Sequence, residues 1–366
     1  MRDQLGLPPD RSTCGRAPVV TSRDVAISAG VSQATVSRVM AGSSLVTEST
    51  RQRVLTAAQR TGYQTNHAAR AMRTQRSGTI GIVVADLLNP FYPEVIAASS
   101  RELSRRDLRM ILWSSEFEGE VGAAEAIGQR QIDGLIFTTA LPSSGQLEGA
   151  LQARAPVVLL NRTIAGLACD QVESDNYRMS FAMAEYFAGA GHTQVGLLTA
   201  DRRASTAALR EKGFREGVAA TGMSLTDDRI ADGLFSHRGG HAAFTAIMSS
   251  AQPPTALFCV NDFAALGALD AARAQRVAVP DDLWIAGYDD IDMASWEAFD
   301  LTTAKQPVDA MVSLAVDLLL ERINDPSLPF RHYKFPGSLS IRGSTAHAPF
   351  AAIRGVTTEP ILITSG

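Results

Sequence analysis

Residues 24–39, DVAISAGVSQATVSRV, constrain this chain more than any other stretch. The spacing predicts two short helices joined by a tight glycine turn. Val25, Ala29, Val31, Val36 and Val39 stand where a helix-turn-helix needs apolar contacts, and the small Ala26 lets the second helix cross close to the first. Gly30 takes the turn position, where a positive φ is easiest without a Cβ. Ser32 then offers an N-cap, leaving Gln33 and Ala34 on the opening turn of the second helix. A unit of this kind lays its second helix in a DNA major groove. The competing reading is an ordinary αα-hairpin in some other core.

A third head helix is expected to start near Thr47 or Ser49 and to run to Gly62 as its C′ residue. The following NHAARAMRTQRS has helix formers but little apolar surface, so it is expected to be marginally helical alone. From residue 78 the pattern changes. Short apolar runs at 79–85, 109–115, 133–139, 156–161, 194–200, 256–262 and 283–290 alternate with helical stretches such as EVIAASSRELSRR and MSFAMAEYFAGAG. Such alternation argues for parallel sheets covered on both faces. Roughly 270 residues of it exceed one comfortable core, so two lobes are expected.

Charge is distributed unevenly. The net charge of the chain is −4, but residues 20–76 hold eight arginines and no lysine against Asp24 and Glu48, a local +6. Residues 1–19 add +1, leaving −11 on the remainder. A basic head on an acidic body suits a DNA reader whose body stays off DNA. Cys14, Cys169 and Cys259 are too few and scattered for a disulfide framework or a zinc cluster, which favours a reduced cytoplasm. No signal-peptide pattern and no apolar run of membrane-spanning length is present, so no membrane partner is expected. No GxSxG, HExxH, P-loop or GxGxxG occurs, and the six histidines are dispersed; no catalytic set, metal or cofactor is expected. His237 and His241 have helical ligand spacing, but the double glycine between them argues for a loop.

The stretch from Val20 to Tyr92 resembles the N-terminal part of the LacI/GalR family of bacterial transcription repressors. The likeness continues through DGLIF (133–137), AGAGHTQVGLLTA (188–200), REKGFREG (210–217), VNDFAALGAL (260–269), IAGYDDIDMA (285–294) and LTTAKQP (301–307), in the family's order, over roughly residues 20–345. The resemblance implies an all-α helix-turn-helix head on an α/β body, a two-lobed periplasmic-binding-protein-like fold with parallel sheets. The expected organisation is a flexible tail over 1–19, a head over 20–65, a hinge over 66–77, a body over 78–345 and a loosely ordered tail over 346–366. Lobe 1 would take about 78–174 and 305–333, and lobe 2 about 175–304 and 334–345.

By the same resemblance Gln33, Ala34 and Arg38 face base edges, where Gln suits adenine, Arg suits guanine and Ala packs on a thymine methyl. Thr21, Ser32, Thr35, Ser37 and Thr50 match phosphate-contacting positions, which set register. Asn66, Ala69 and Met72 match the hinge helix, with Met72 in the place of the usual minor-groove leucine wedge. Thr65 replaces the proline usual before the hinge asparagine, and Ala41 replaces the asparagine usual after the recognition helix. In the body, Phe91, Tyr92, Asn161, Arg210, Phe235, Asn261 and Asp289 match positions facing an inter-lobe ligand, at or near C-terminal strand ends. Asp262 is expected only to cap a helix. The implied protein is a homodimeric, cytoplasmic repressor of a carbohydrate-utilisation operon. It binds palindromic double-stranded operator DNA and is controlled allosterically by a small sugar-like effector. The alternatives are a sugar-binding receptor and a sugar-processing α/β enzyme.

Overall fold

The computed structural model describes residues 20–40, 43, 45–63, 76–84, 86–114, 122–345 and 360–363. The hinge positions Asn66, Ala69 and Met72, with Thr65 and Ala41, lie outside the described residues. The chain divides into two units, 1–75 and 76–366.

The head contains helices α1 (Ser22–Ala29), α2 (Gln33–Met40) and α3 (Glu48–Thr61). Thr21 and Asp24 form a capping box: the Thr21 amide and hydroxyl both donate to the Asp24 carboxylate at 2.8 Å. Gly30 (φ 63°) ends α1 and Gly62 (φ 68°) ends α3 in the left-handed region. Ser32 caps α2, its Oγ accepting from the Thr35 amide at 3.1 Å. Val25, Ala26, Ala29, Val36, Val39, Val54, Ala57 and Ala58 form the head core, with Val31 partly buried against it. Arg53 donates to the Ala29 and Gly30 carbonyls, satisfying acceptors that the end of α1 leaves open.

The second unit contains two sheets. The first comprises β1 (Thr79–Val84), β2 (Arg109–Ser114), β3 (Gly134–Phe137), β4 (Val157–Leu160), β5 (Asp170–Ser174), β11 (His332–Phe335) and β13 (Ile361–Ile363), in the order β13-β11-β5-β4-β3-β1-β2. All neighbours are parallel except β13 on β11. The second comprises β6 (Val195–Thr199), β7 (Ile230–Asp232), β8 (Ala256–Cys259), β9 (Trp284–Asp289), β10 (Thr302–Lys305) and β12 (Ser338–Ser340), in the order β12-β10-β9-β8-β6-β7. Here β12 alone runs antiparallel. Strands β1, β3, β4 and β8 are buried along their whole length, because parallel strands covered on both faces have no solvent side.

Helices cover both sheets: α4 (Phe91–Arg105), α5 (Ala123–Gly128), α6 (Gly145–Gln152), α7 (Asn176–Gly189), α8 (Ser205–Thr221), α9 (His237–Met248), α10 (Asp262–Gln275) and α11 (Val308–Asn324). The chain passes between sheets after Ser174, after Lys305 and after Phe335, and returns to the first sheet between Ser340 and Ile361. Since β11 belongs wholly to the first sheet, the third passage lies two residues beyond the expected 333. Ile361–Ile363 also depart from a loosely ordered tail, since they pair with His332–Lys334 and extend the first sheet by one strand.

The double glycine expected to mark a loop lies inside α9 instead. A Cβ on Gly240 would come within 2.0 Å of the Ala264 carbonyl oxygen, and one on Gly267 within 1.9 Å of that of His237. These glycines let α9 and α10 touch backbone to backbone, a packing reason that overrides their low helix propensity. His237 bonds Asp270 through Nε2 at 2.8 Å, and no metal-binding group of three or more ligands occurs among the described residues. Among the same residues, no helix is long and apolar enough to cross a membrane.

Candidate functional site

The head presents one polar surface. Val36 and Val39 turn α2 inward, so Gln33, Ala34 and Arg38 stand exposed on the opposite side. Arg38 makes no hydrogen bond or ion pair among the described residues. Gln33 Nε2 donates to Ser22 Oγ at 2.9 Å, which orients the amide. Around it, the Ser32 and Thr35 hydroxyls bond each other at 2.9 Å, and Thr47 donates to Thr50 at 3.0 Å. Ser37 is half-buried and partnered. Three other head arginines are occupied: Arg51 binds the Ser43 carbonyl, Arg53 closes α1 and Arg60 binds Ser28. Thr21 is exposed, but its donors serve Asp24.

In the body, the cleft between sheets collects the C-terminal ends of β4, β5, β9 and β10. Arg210, on α8, is its organising cation. Its Nε donates to Asn176 Oδ1 at 2.8 Å and its terminal nitrogen to the Val260 carbonyl at 2.7 Å. The same nitrogen lies 3.1 Å from Asp289 Oδ1, and the guanidinium stacks 3.7 Å from the Tyr288 ring centroid. Gln306 Nε2 donates to Asp289 at 2.8 Å, and Ser174 Oγ donates to Gln306 Oε1 at 2.8 Å. Two of the inter-sheet passages, at Ser174 and Gln306, are thus wired to the Arg210–Asp289 pair.

The first sheet supplies Phe91 and Tyr92 from the start of α4, in an edge-on pair with centroids 5.5 Å apart, and Asn161 and Arg162 from the end of β4. Asn161 sits at φ 73°, a conformation asparagine tolerates. Its Nδ2 reaches only 3.5 Å toward the Thr138 carbonyl, and its buried Oδ1 has no partner. Arg162 donates to the Tyr92 hydroxyl at 3.4 Å, and its guanidinium lies 5.6 Å from the Phe235 ring of the second lobe. Further bridges join the lobes: Glu94 accepts from the Asp292 amide at 2.7 Å, and Ser205 Oγ from the Thr163 amide at 2.9 Å.

The structure brings together Tyr92, Arg210, Phe235 and Asp289 as expected members of one cleft, with Asn161 on its wall. Asn261 is committed locally: its Oδ1 accepts from the Ala264 amide at 3.3 Å and its Nδ2 donates to the Phe235 carbonyl at 3.4 Å. Asn261, not Asp262, therefore caps α10. Sequence reading missed Arg162, Asn176 and Gln306. Arg162 carried the same signal as Asn161, a polar side chain at a strand end; Asn176 and Gln306 stand beside polar strands with no apolar run to mark them.

Asp262 is fully buried behind this site, accepting from Thr303 Oγ1 at 2.5 Å and from the Ile291 amide at 3.0 Å. Burial, with the Asp289 charge adding to it, pushes its carboxyl up to about 8. Burial likewise pushes Asp289 up to about 6, against the pull of Arg210. Both acids ionise more readily in the unfolded chain. The stability they contribute is therefore complete below about pH 4 and is lost as pH rises toward 8. Asp262→Asn can keep both hydrogen bonds, with its amide donating to Thr303. It is expected to flatten the fall in unfolding free energy between pH 5 and 8, measured by urea titration; an unchanged pH slope contradicts this.

Comparisons with known proteins agree with this geometry. Residues 21–66 match the family described as bacterial regulatory proteins, lacI family, and residues 184–345 match the periplasmic binding protein-like domain. The HTH-type transcriptional regulator GalS of Salmonella typhimurium is 32% identical over 305 residues, covering 83% of this chain and 90% of that protein. The HTH-type transcriptional repressor CytR of Escherichia coli is 31% identical over 332 residues, covering 90% and 97%. Among solved structures, the lac repressor dimer bound to operator and the anti-inducer ONPF aligns at TM-score 0.75 and 25% identity, over 89% of this chain and 99% of that one. The transcriptional regulator CelR–cellobiose complex aligns at TM-score 0.67 and 26% identity, over the same shares. With a helix-turn-helix head, a two-sheet binding-protein body and relatives matched across nearly their full length, the chain belongs to the LacI family of bacterial regulatory proteins.

Proposed function

We propose that this LacI-family regulator represses a carbohydrate-utilisation operon by binding a palindromic operator as a homodimer, and that a small sugar-like effector in the inter-lobe cleft sets its affinity for DNA. The observation that carries the effector half is the convergence of Tyr92, Asn161, Arg210, Phe235 and Asp289 on one cleft, with the buried Asn161 Oδ1 left to accept from a ligand hydroxyl. Paired donors and acceptors beside aromatic rings suit vicinal hydroxyls on a sugar face. A sugar is bound in the CelR complex and in a LacI-family regulator of Enterococcus faecium with ribose, 25% identical at TM-score 0.66 over 73% of this chain and 98% of that one.

On the DNA side, the proposal assigns Gln33, Ala34 and Arg38 to base edges and Thr21, Ser32, Thr35, Ser37 and Thr50 to phosphates. Asn66, Ala69 and Met72 are assigned to the hinge, which enters the minor groove. Coupling is a population shift: ligand changes lobe closure, and closure changes whether both heads dock on one site. Bonds along Ser174–Gln306–Asp289–Arg210 link two of the passages between lobes to the proposed ligand site, which supports that route. The protein acts in the cytoplasm and is not an enzyme; its named relatives are regulators. Selection of bound DNA from a random pool tests the reading. A two-fold symmetric consensus is the expected result, and asymmetric or unselective binding contradicts it.

A further inference from the structure

Resting on the reading of the cleft as an effector site, we infer that the effector is an anionic sugar derivative, with its phosphate or carboxylate group held by Arg162. The two cleft arginines differ in how their charge is met. Arg210 is compensated by Asp289 at 3.1 Å, and its Nε and one terminal nitrogen are spent on Asn176 and Val260. Arg162 has no carboxylate within ion-pair distance among the described residues. Its one hydrogen bond from the guanidinium is the long 3.4 Å contact to the Tyr92 hydroxyl, and its Nε is buried without a partner.

The acids nearby are already engaged. Asp289 and Asp201 both feel the Arg162 charge, but Asp289 is paired with Arg210 at 3.1 Å and Asp201 with Arg203 at 2.8 Å. Arg162 also stands against the Phe235 ring, which excludes water from one side of the guanidinium. A half-buried, planar cation with an unused donor gains most from an oxyanion, which it can bind through two parallel N–H bonds. Tyr92 accepts from Arg162, so its own hydroxyl proton remains available to the same anion; burial raises its pKa and keeps that proton in place. Asn161, the preceding residue, offers its orphan Oδ1 to a neighbouring hydroxyl. One strand end thus presents a cation for the charged group and an acceptor for the sugar ring.

Calorimetric titration of the full chain with matched pairs tests this. The pairs are ribose and ribose 5-phosphate, glucose and glucose 6-phosphate, and galactose and galacturonate; inorganic phosphate is added alone as a separate ligand. In at least one pair the charged member is expected to bind tenfold or more tightly than its neutral parent, with the phosphate and uronate arms identifying which anion is taken. Arg162→Gln is expected to erase that difference and any stabilisation by inorganic phosphate, while its melting temperature without ligand stays at or above wild type. Arg162→Lys, which keeps charge but loses the planar fork, is expected to retain part of the preference. Neutral sugars binding as tightly as their charged partners, with Arg162→Gln affecting neither, overturn the anionic inference and leave the sugar reading standing. Failure of every sugar and of phosphate to bind the folded chain overturns both.

Discussion

Replacing Arg210 by alanine is expected to destabilise the body by about 3–5 kcal/mol, the usual cost of removing one partner of a buried ion pair. The replacement strands Asp289, which is 6% exposed and close enough to Asp262 for each charge to disfavour the other. It also leaves the Val260 carbonyl and Asn176 Oδ1 without their donor and uncovers the Tyr288 ring. Effector affinity falls with it, because the cleft wall is built on these contacts. Urea unfolding reads the first effect and ligand titration the second. Arg210→Ala combined with Asp289→Asn should recover part of the stability, since the stranded charge is then gone. A single mutant within about 1 kcal/mol of wild type contradicts the role given to the pair.

Arg38→Ala carries the second large effect. An arginine contributes about 1–3 kcal/mol of discrimination per base pair read, and a palindrome presents the contact twice. Operator affinity should fall at least tenfold, and the consensus selected from random DNA should lose its preference at one position in each half-site. Binding to nonspecific DNA should change far less, because it rests on many phosphate charges. Arg38 is the informative position because, unlike Arg51, Arg53 and Arg60, it is not tied into the head. A mutant that selects the wild-type consensus at every position removes Arg38 from the base-reading set.

Much of this arrangement is legible in the sequence where a physical requirement leaves a mark. The helix-turn-helix is legible because small and apolar residues must recur at fixed spacing and Gly30 must take a positive φ. Six of the seven apolar runs read as strands because parallel strands are buried on both faces; the seventh, Arg109–Ser114, is an edge strand that stays partly exposed. Asp170–Ser174 carries no such mark: its Asp170 is buried because Arg322 of α11, 152 residues away, bonds it at 2.9 Å and Arg331 pairs with it at 3.3 Å. Thr302–Lys305 is similarly polar, with Thr302 buried against Thr345 and Thr303 against Asp262. The glycines of α9 read as loop formers because propensity is local, whereas their use is a tertiary contact with α10. Asn261 and Asp262 were both visible as polar residues after an apolar strand. Which one caps the helix depends on the backbone bend at that point, where Asn261 adopts the extended conformation of an N-cap.

In the function proposed above, the cleft and the DNA-reading head share one equilibrium. Thermodynamic linkage makes that claim measurable: an effector that changes operator affinity by a factor must have its own affinity changed by operator by the same factor. The decisive measurement is a pair of titrations on the full chain. Fluorescence anisotropy follows labelled operator, recovered by selection, with and without a saturating sugar or sugar phosphate, and calorimetry follows that sugar with and without operator. Equal factors in the two directions, of about 5–150-fold, are the expected result. A sugar that fills the cleft, yet leaves operator affinity unchanged and is itself unaffected by operator, would contradict it.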